Sequence, residues 1–143
     1  MRFKRFGDDW QVRLESGDAL HDSLVRLAAR EGIGFAAFSG LGAVRSASVA
    51  YYNVETRAYE TLDVEEQLEV TSLVGNVSIR DGQPFVHAHA NLGRRDLSVF
   101  GGHLMAAVAH STLEIWVTTQ ADRVERLPDE ETGLALLELP EAG

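Results

Sequence analysis

The chain contains no cysteine. That excludes a disulfide framework and a thiolate metal site. It also lacks any apolar run approaching the roughly 20 residues that a membrane-spanning helix needs. The opening "MRFKRFGDDWQVRLESGD" carries basic residues but no apolar h-region, so no signal peptide is expected. A soluble, cytoplasmic protein fits these absences. Positive charge is scarce as well. Lys and Arg number 13 against 22 Asp and Glu, a formal net charge of −9. An acidic field repels phosphate backbones at long range, which makes a poor non-specific nucleic-acid binder. The acids are concentrated: residues 55–69 hold six against Arg57 alone, and residues 120–143 hold seven against Arg123 and Arg126. Solubility is the simplest role for both blocks.

What is present suffices for one domain with its own core: 143 residues, 45% of them hydrophobic and 24% charged. Leu20, Leu24, Leu27 and Ala28 recur at helical spacing. The spacing predicts a helix over about 18–31, with Asp18 as N-cap and Gly32 as its stop. The rest reads as strands. "RFKRFGDDWQVRLESG" alternates as a strand with a turn at Gly7-Asp8-Asp9. "IGFAAFSGLGAV" and "RSASVAYYNVE" are two apolar or alternating stretches, with a turn near Thr56. "AYETLDVEEQLEVTSLVGNVSIRDG" holds two or three short strands closing at Asp81-Gly82. "QPFVHAHANL" is a strand entered near Pro84, and Gly93 to Asp96 form a turn. "LSVFGGHLMAAVAH" is broken at Gly101-Gly102. "TLEIWVTTQ" is β-branched and aromatic, as central strands are. The tail after Pro128 is expected to add a short helix or an edge strand. One helix followed by strands argues an α+β fold, with the helix on one face of a largely antiparallel sheet in a single domain over 1–143.

The chemistry gathers in "PFVHAHANLG" and "FGGHL". Strand side chains alternate faces, so His87 and His89 point the same way with Asn91 beside them, while Val86, Ala88 and Ala90 point into a core. Two imidazoles spaced roughly 7 Å along a strand can converge on one ion about 2 Å from each nitrogen. His103 could complete the set from a neighbouring strand, with Gly101-Gly102 letting the backbone come close. Three neutral imidazoles suit zinc, and copper, nickel or iron less selectively. Three protein ligands also leave a coordination position open, as catalytic rather than structural zinc sites do. The alternative is that these are ordinary strand histidines bonded to their neighbours. His21, off the leucine stripe of the helix, and His110 have no evident functional partner.

Glu114, in "TLEIWV", has apolar neighbours that imply burial, and a buried carboxylate needs a partner. It could orient a ligating histidine or serve as a general base beside a metal. A structural salt bridge, with Arg45 for instance, is the other reading. "SGLGAVRSA" lacks the Lys-Ser/Thr ending of a phosphate loop, so Gly40 and Gly42 are read as backbone geometry.

Taken in order, "SGLGAVRSASVAYYN", "GQPFVHAHANL", "GGHL" and "TLEIWV" resemble the plant-and-prokaryote-conserved (PPC) domain, whose hallmark segments match Gly82 to His89, Gly101 to Leu104, and Thr112 to Glu114. The likeness runs from the first strand to about Val124, and the tail after Pro128 lies outside it. The resemblance implies an α+β domain assembling as a homotrimer, and zinc held in some prokaryotic members through the histidines matching His87, His89 and His103. It carries over no enzymatic activity. Members often bear a DNA-binding label, but the AT-hook that contacts DNA in plant relatives, with its Gly-Arg-Pro core, has no counterpart in this sequence. Three functions remain in view. One is a trimeric metal-binding domain. Another is a DNA-associated regulator acting through assembly with other proteins. The third is a metal-dependent hydrolase or lyase with Glu114 as its base. Arg2, Lys4 and Arg5 are the only dense basic cluster, and Arg94-Arg95 a smaller pair.

Overall fold

The computed structural model describes residues 1–141. The chain opens with a hairpin, β1 (Arg2–Phe6) and β2 (Asp9–Glu15), turning at Gly7-Asp8 as expected. The single helix α1 spans Leu20–Glu31. It buries Leu20, Leu24, Leu27 and Ala28, the four residues whose spacing marks it, and ends at Gly32 in the left-handed conformation. The N-cap is Ala19, not Asp18. The Asp18 carboxylate instead accepts the Glu15 N–H at 2.9 Å, and its carbonyl accepts the Ala109 N–H at 2.9 Å. The residues before the helix are thereby stitched to a strand, which takes the cap side chain away from the helix amides.

Five strands follow along the main sheet: β3 (Phe35–Asn53), β4 (Ala58–Val64), β5 (Leu68–Arg80), β6 (Gln83–Gly93) and β7 (Val99–Gln120). The order is β1-β2-β7-β6-β5-β3-β4, every pairing antiparallel, and β3 also pairs with β7. That extra pairing closes β3, β5, β6 and β7 into a ring. The sheet and single helix agree with the α+β expectation. Several expected breaks are absent. The two stretches read between Ile33 and Glu55 are one 19-residue strand, with Gly40 and Gly42 inside it where its register against β5 shifts. The segment expected to break at Gly101-Gly102 and the central strand are likewise one 22-residue strand, β7. The tail forms a small hairpin, β8 (Arg126–Pro128) with β9 (Ala135–Leu137).

The core lies between α1 and the inward faces of the strands. Val12, Leu14, Val44, Leu68, Leu73, Leu92, Leu113 and Ile115 are buried there with the helix leucines. Leu113, Ile115 and Val117 point inward while Glu114 and Trp116 point out, as the two faces of a strand do.

Candidate metal centre

β6 carries His87 and His89 on one face, and Ala88 and Ala90, both buried, on the other. β7 runs antiparallel beside it, and the register sets His103 directly opposite His89. This register depends on two glycines. A Cβ on Gly101 would collide with the Ala90 carbonyl oxygen, and one on Gly102 would come within 2.7 Å of the Ala50 carbonyl oxygen. Only bare backbone lets β7 lie between β6 and β3 at this point, and that position sets His103 among the other rings. The three ring centroids form a near-equilateral triangle, 5.3, 5.0 and 5.3 Å on a side. One nitrogen from each ring lies within 4.8 Å of the others. His87 and His103 are half-buried and His89 is exposed.

The surroundings favour the neutral form of His87 and His103. Burial, then the Arg126 guanidinium and the two neighbouring rings, bring the His87 pKa down to about 4 from the ordinary 6.5. Burial, then His89, His21 and Arg126, lower that of His103. Neutral imidazole is the form that binds a metal. Arg126 itself is buried. It donates to Ser78 Oγ at 2.9 Å, Asn76 Oδ1 at 3.0 Å and the Ala135 carbonyl at 2.8 Å, and approaches His87 Nδ1 at 3.2 Å. A guanidinium has only donors, so His87 Nδ1 accepts and the neutral ring carries its proton on Nε2. Ligation through Nε2 would therefore require the Arg126 contact to open. Tyr59 of β4 packs on His103 from the other side, with centroids 5.0 Å apart.

The donor set fits a divalent transition ion. Bonds of about 2.0–2.1 Å in a tetrahedral arrangement put nitrogens about 3.3 Å apart. Small side-chain rotations would close the open triangle to that size. No carboxylate belongs to the group.

The remaining candidates lie elsewhere. Glu114 is exposed, contrary to the burial its apolar neighbours implied: those neighbours face the core, and Glu114 shares the outer face with Trp116. It sits opposite Arg13 in β2 and Leu41 in β3, eleven positions along β7 from His103. Among the described residues it makes no salt bridge, and Arg45 is exposed. His21 packs on α1 near Leu104, and burial lowers its pKa. His110 is half-buried, outside the triangle. Sequence reasoning missed Arg126, Asn76 and Tyr59. The one available signal was the alternation of Val124 and Arg126, which points an arginine inward from an acidic tail.

A family model described as "Plants and Prokaryotes Conserved (PCC) domain" matches residues 1–120. Among solved structures, a metal-containing protein from Archaeoglobus fulgidus is 37% identical, with a TM-score of 0.86 over 97% of this chain and 99% of its own. A plant- and prokaryote-conserved protein from Pyrococcus horikoshii is 33% identical, with a TM-score of 0.87 over 99% and 97%. A protein from Bacteroides thetaiotaomicron, named a candidate DNA-binding protein, is 27% identical, with a TM-score of 0.92 over 96% of each chain. No curated protein matches.

Proposed function

The chain belongs to the Plants and Prokaryotes Conserved domain family, and on that footing we propose that it is a homotrimeric domain holding one divalent cation, zinc by preference, through His87, His89 and His103. The observation that carries this reading is the triangle of three imidazoles drawn from two adjacent strands, one nitrogen of each within 4.8 Å of the others. The metal-containing relative from Archaeoglobus fulgidus supports it. A bound cation would supply a Lewis-acid centre with an open coordination position. This chain's own residues then do the rest. They favour the neutral form of His87 and His103, position the three rings by strand register, and place Arg126 at one edge and Tyr59 at another.

Trimer formation is supported by the outer face of the sheet. Register lines up Trp116 of β7, Ser39 of β3, Val74 of β5 and His89 of β6 across one face, with Leu41 beside them. Trp116 and Leu41 are each 61% exposed and Val74 is 52% exposed. Large exposed apolar side chains sharing one face, here with Ser39 between Trp116 and Val74, are the kind of surface an interface covers, and closed cyclic symmetry is the usual way a single chain covers one. The patch adjoins His89, so the metal lies near a subunit boundary in this reading.

The DNA-binding name of the Bacteroides relative finds weaker support. Arg2 pairs with Glu15 at 2.9 Å, Arg5 with Asp8 at 2.9 Å and Arg94 with Glu66 at 2.8 Å. Three of the five clustered basic residues thus already face carboxylates, which leaves few charges to neutralise phosphates. No helix of the described residues is long and apolar enough to cross a membrane. Metal analysis of the protein and of its His89→Ala variant tests the metal reading; loss of stoichiometric metal in the variant is expected.

A further inference from the structure

Beside the histidine triangle lies a cavity of about 350 Å³ whose outer wall is the tail hairpin, residues beyond the family-matched 1–120. The hairpin is tied down at several points. Tyr52 Oη donates to the Thr132 carbonyl at 2.6 Å and Arg57 to the Glu130 carbonyl at 3.1 Å, and Arg126, itself in the hairpin, donates to Ser78 Oγ at 2.9 Å and Asn76 Oδ1 at 3.0 Å of β5. The lining pairs apolar surface, from Phe85, Met105 and Leu134, with Tyr59 and two guanidiniums, Arg80 and Arg126. Both guanidiniums lie over the Phe85 ring, each 5.5 Å from its centroid. None of the lining residues is acidic.

The charge on Arg126 is the anomaly. The residue is 8% exposed, yet all four of its acceptors are neutral: a hydroxyl, an amide oxygen, a backbone carbonyl and an imidazole nitrogen. It makes no salt bridge among the described residues. A buried charge without a counter-ion is costly. Arg80, half exposed, only weakly engages Asp81 at 3.6 Å, and it adds a second positive charge to the same cavity. An anion entering here would meet two cationic groups and no competing carboxylate.

The kind of anion follows from the donors and the walls. Four of the five N–H groups of Arg126 are committed, which leaves one for a ligand. Arg80 can supply others. That suits the two oxygens of a carboxylate better than the many acceptors of a phosphate. The apolar walls suit an organic body. Cavities of about 300 Å³ and above take small organic ligands. We infer that the cavity between the tail hairpin and the histidine triangle binds a small organic carboxylate with an apolar body, its carboxylate received by Arg80 and Arg126 and its body by Phe85, Met105 and Leu134. The site stands on the arginines and does not require the metal.

Benzoate is the probe, with benzamide as its uncharged counterpart and inorganic phosphate as the bare anion. Each is titrated calorimetrically into metal-stripped and zinc-loaded trimer or monomer, whichever the protein forms, near pH 7.5, where the carboxylate is ionised. Benzoate should bind both forms, and benzamide and phosphate should bind about tenfold or more weakly, the scale of losing a charge-assisted hydrogen bond. Arg80→Gln, at an exposed position that should not disturb folding, should weaken benzoate by about threefold or more. Arg126→Gln should weaken it further. Equal binding of benzoate and benzamide, tighter binding of phosphate, or an Arg80→Gln variant that binds benzoate like the parent would each overturn the assignment. Benzoate bound only by zinc-loaded protein, with Arg80→Gln unaffected, would leave the metal reading intact and remove this one. Benzoate bound by a protein that takes up no zinc would do the reverse.

Discussion

His87 is the residue whose environment is most altered. Its folded pKa of about 4 lies below the ordinary 6.5. As pH falls the unfolded chain therefore takes up this proton first. The metal-free fold keeps the full contribution of a neutral His87 above about pH 6.5 and loses it progressively toward about pH 4. His103 is shifted in the same direction and adds to the trend. Urea midpoints of metal-free protein should fall across that window, and the fall should be shallower in His87→Asn. Equal slopes for parent and variant would show that His87 is not held neutral by the fold. Glu114 gives the complementary case. It is exposed and outside the triangle, so Glu114→Gln should leave metal content unchanged and shift stability by no more than about 0.5 kcal/mol, as surface substitutions do. Loss of metal in that variant, measured by elemental analysis, would restore Glu114 to the site.

At the scale of elements, the glycines of β7 decide whether a site forms. Gly101→Ala would press a methyl group into the Ala90 carbonyl and toward Asn91 Oδ1. The strand must then shift, and His103 shifts with it. A loss of about 2–4 kcal/mol in urea unfolding is expected, in the range of backbone-clash substitutions, together with weaker metal binding. Gly32→Ala makes a useful contrast. It strains only the left-handed helix cap, costs about 1 kcal/mol, and should leave metal binding intact. This difference also explains what was legible in the sequence. The helix stripe, the turns at Asp81-Gly82 and Gly7-Asp8, and the shared face of His87 and His89 follow from local periodicity and turn chemistry. The continuity of β7 does not. A Gly-Gly pair in isolation reads as a break, and only the carbonyls of Ala90 and Ala50, from two other strands, show that close approach is its role. Burial of Glu114 was misjudged for a related reason: apolar neighbours along a strand lie on its opposite face. Arg126 was missed because its acceptors, Asn76 and Ser78, lie some fifty residues away in the chain.

For the whole molecule, the outer face carrying Leu41, Val74 and Trp116 is the feature a lone chain leaves unexplained. Light scattering should give the mass of three chains at micromolar concentration. Trp116→Arg, which puts charge in the middle of that face, should give the mass of one. A parent protein that is monomeric, or a variant that remains trimeric, would remove this face from the assembly. The same acidic molecule should bind mixed-sequence or A·T-rich duplex DNA weakly or not at all at about 150 mM salt, physiological ionic strength. Sub-micromolar binding that is lost when Arg2, Lys4 and Arg5 become glutamine would favour a DNA-associated regulator instead.

The central claim is that the three histidines hold a metal, and it can be tested without knowing any substrate. The protein should be purified without an immobilised-metal column and its metal content measured by plasma mass spectrometry. The expected result is about one equivalent of zinc or another divalent transition ion per chain, the stoichiometry of one three-histidine site. It should be reduced to background in His89→Ala, a change at an exposed residue that leaves the core untouched. A parent protein that neither carries nor takes up a stoichiometric metal, or a triple His87, His89, His103→Ala variant that retains one, would contradict the account.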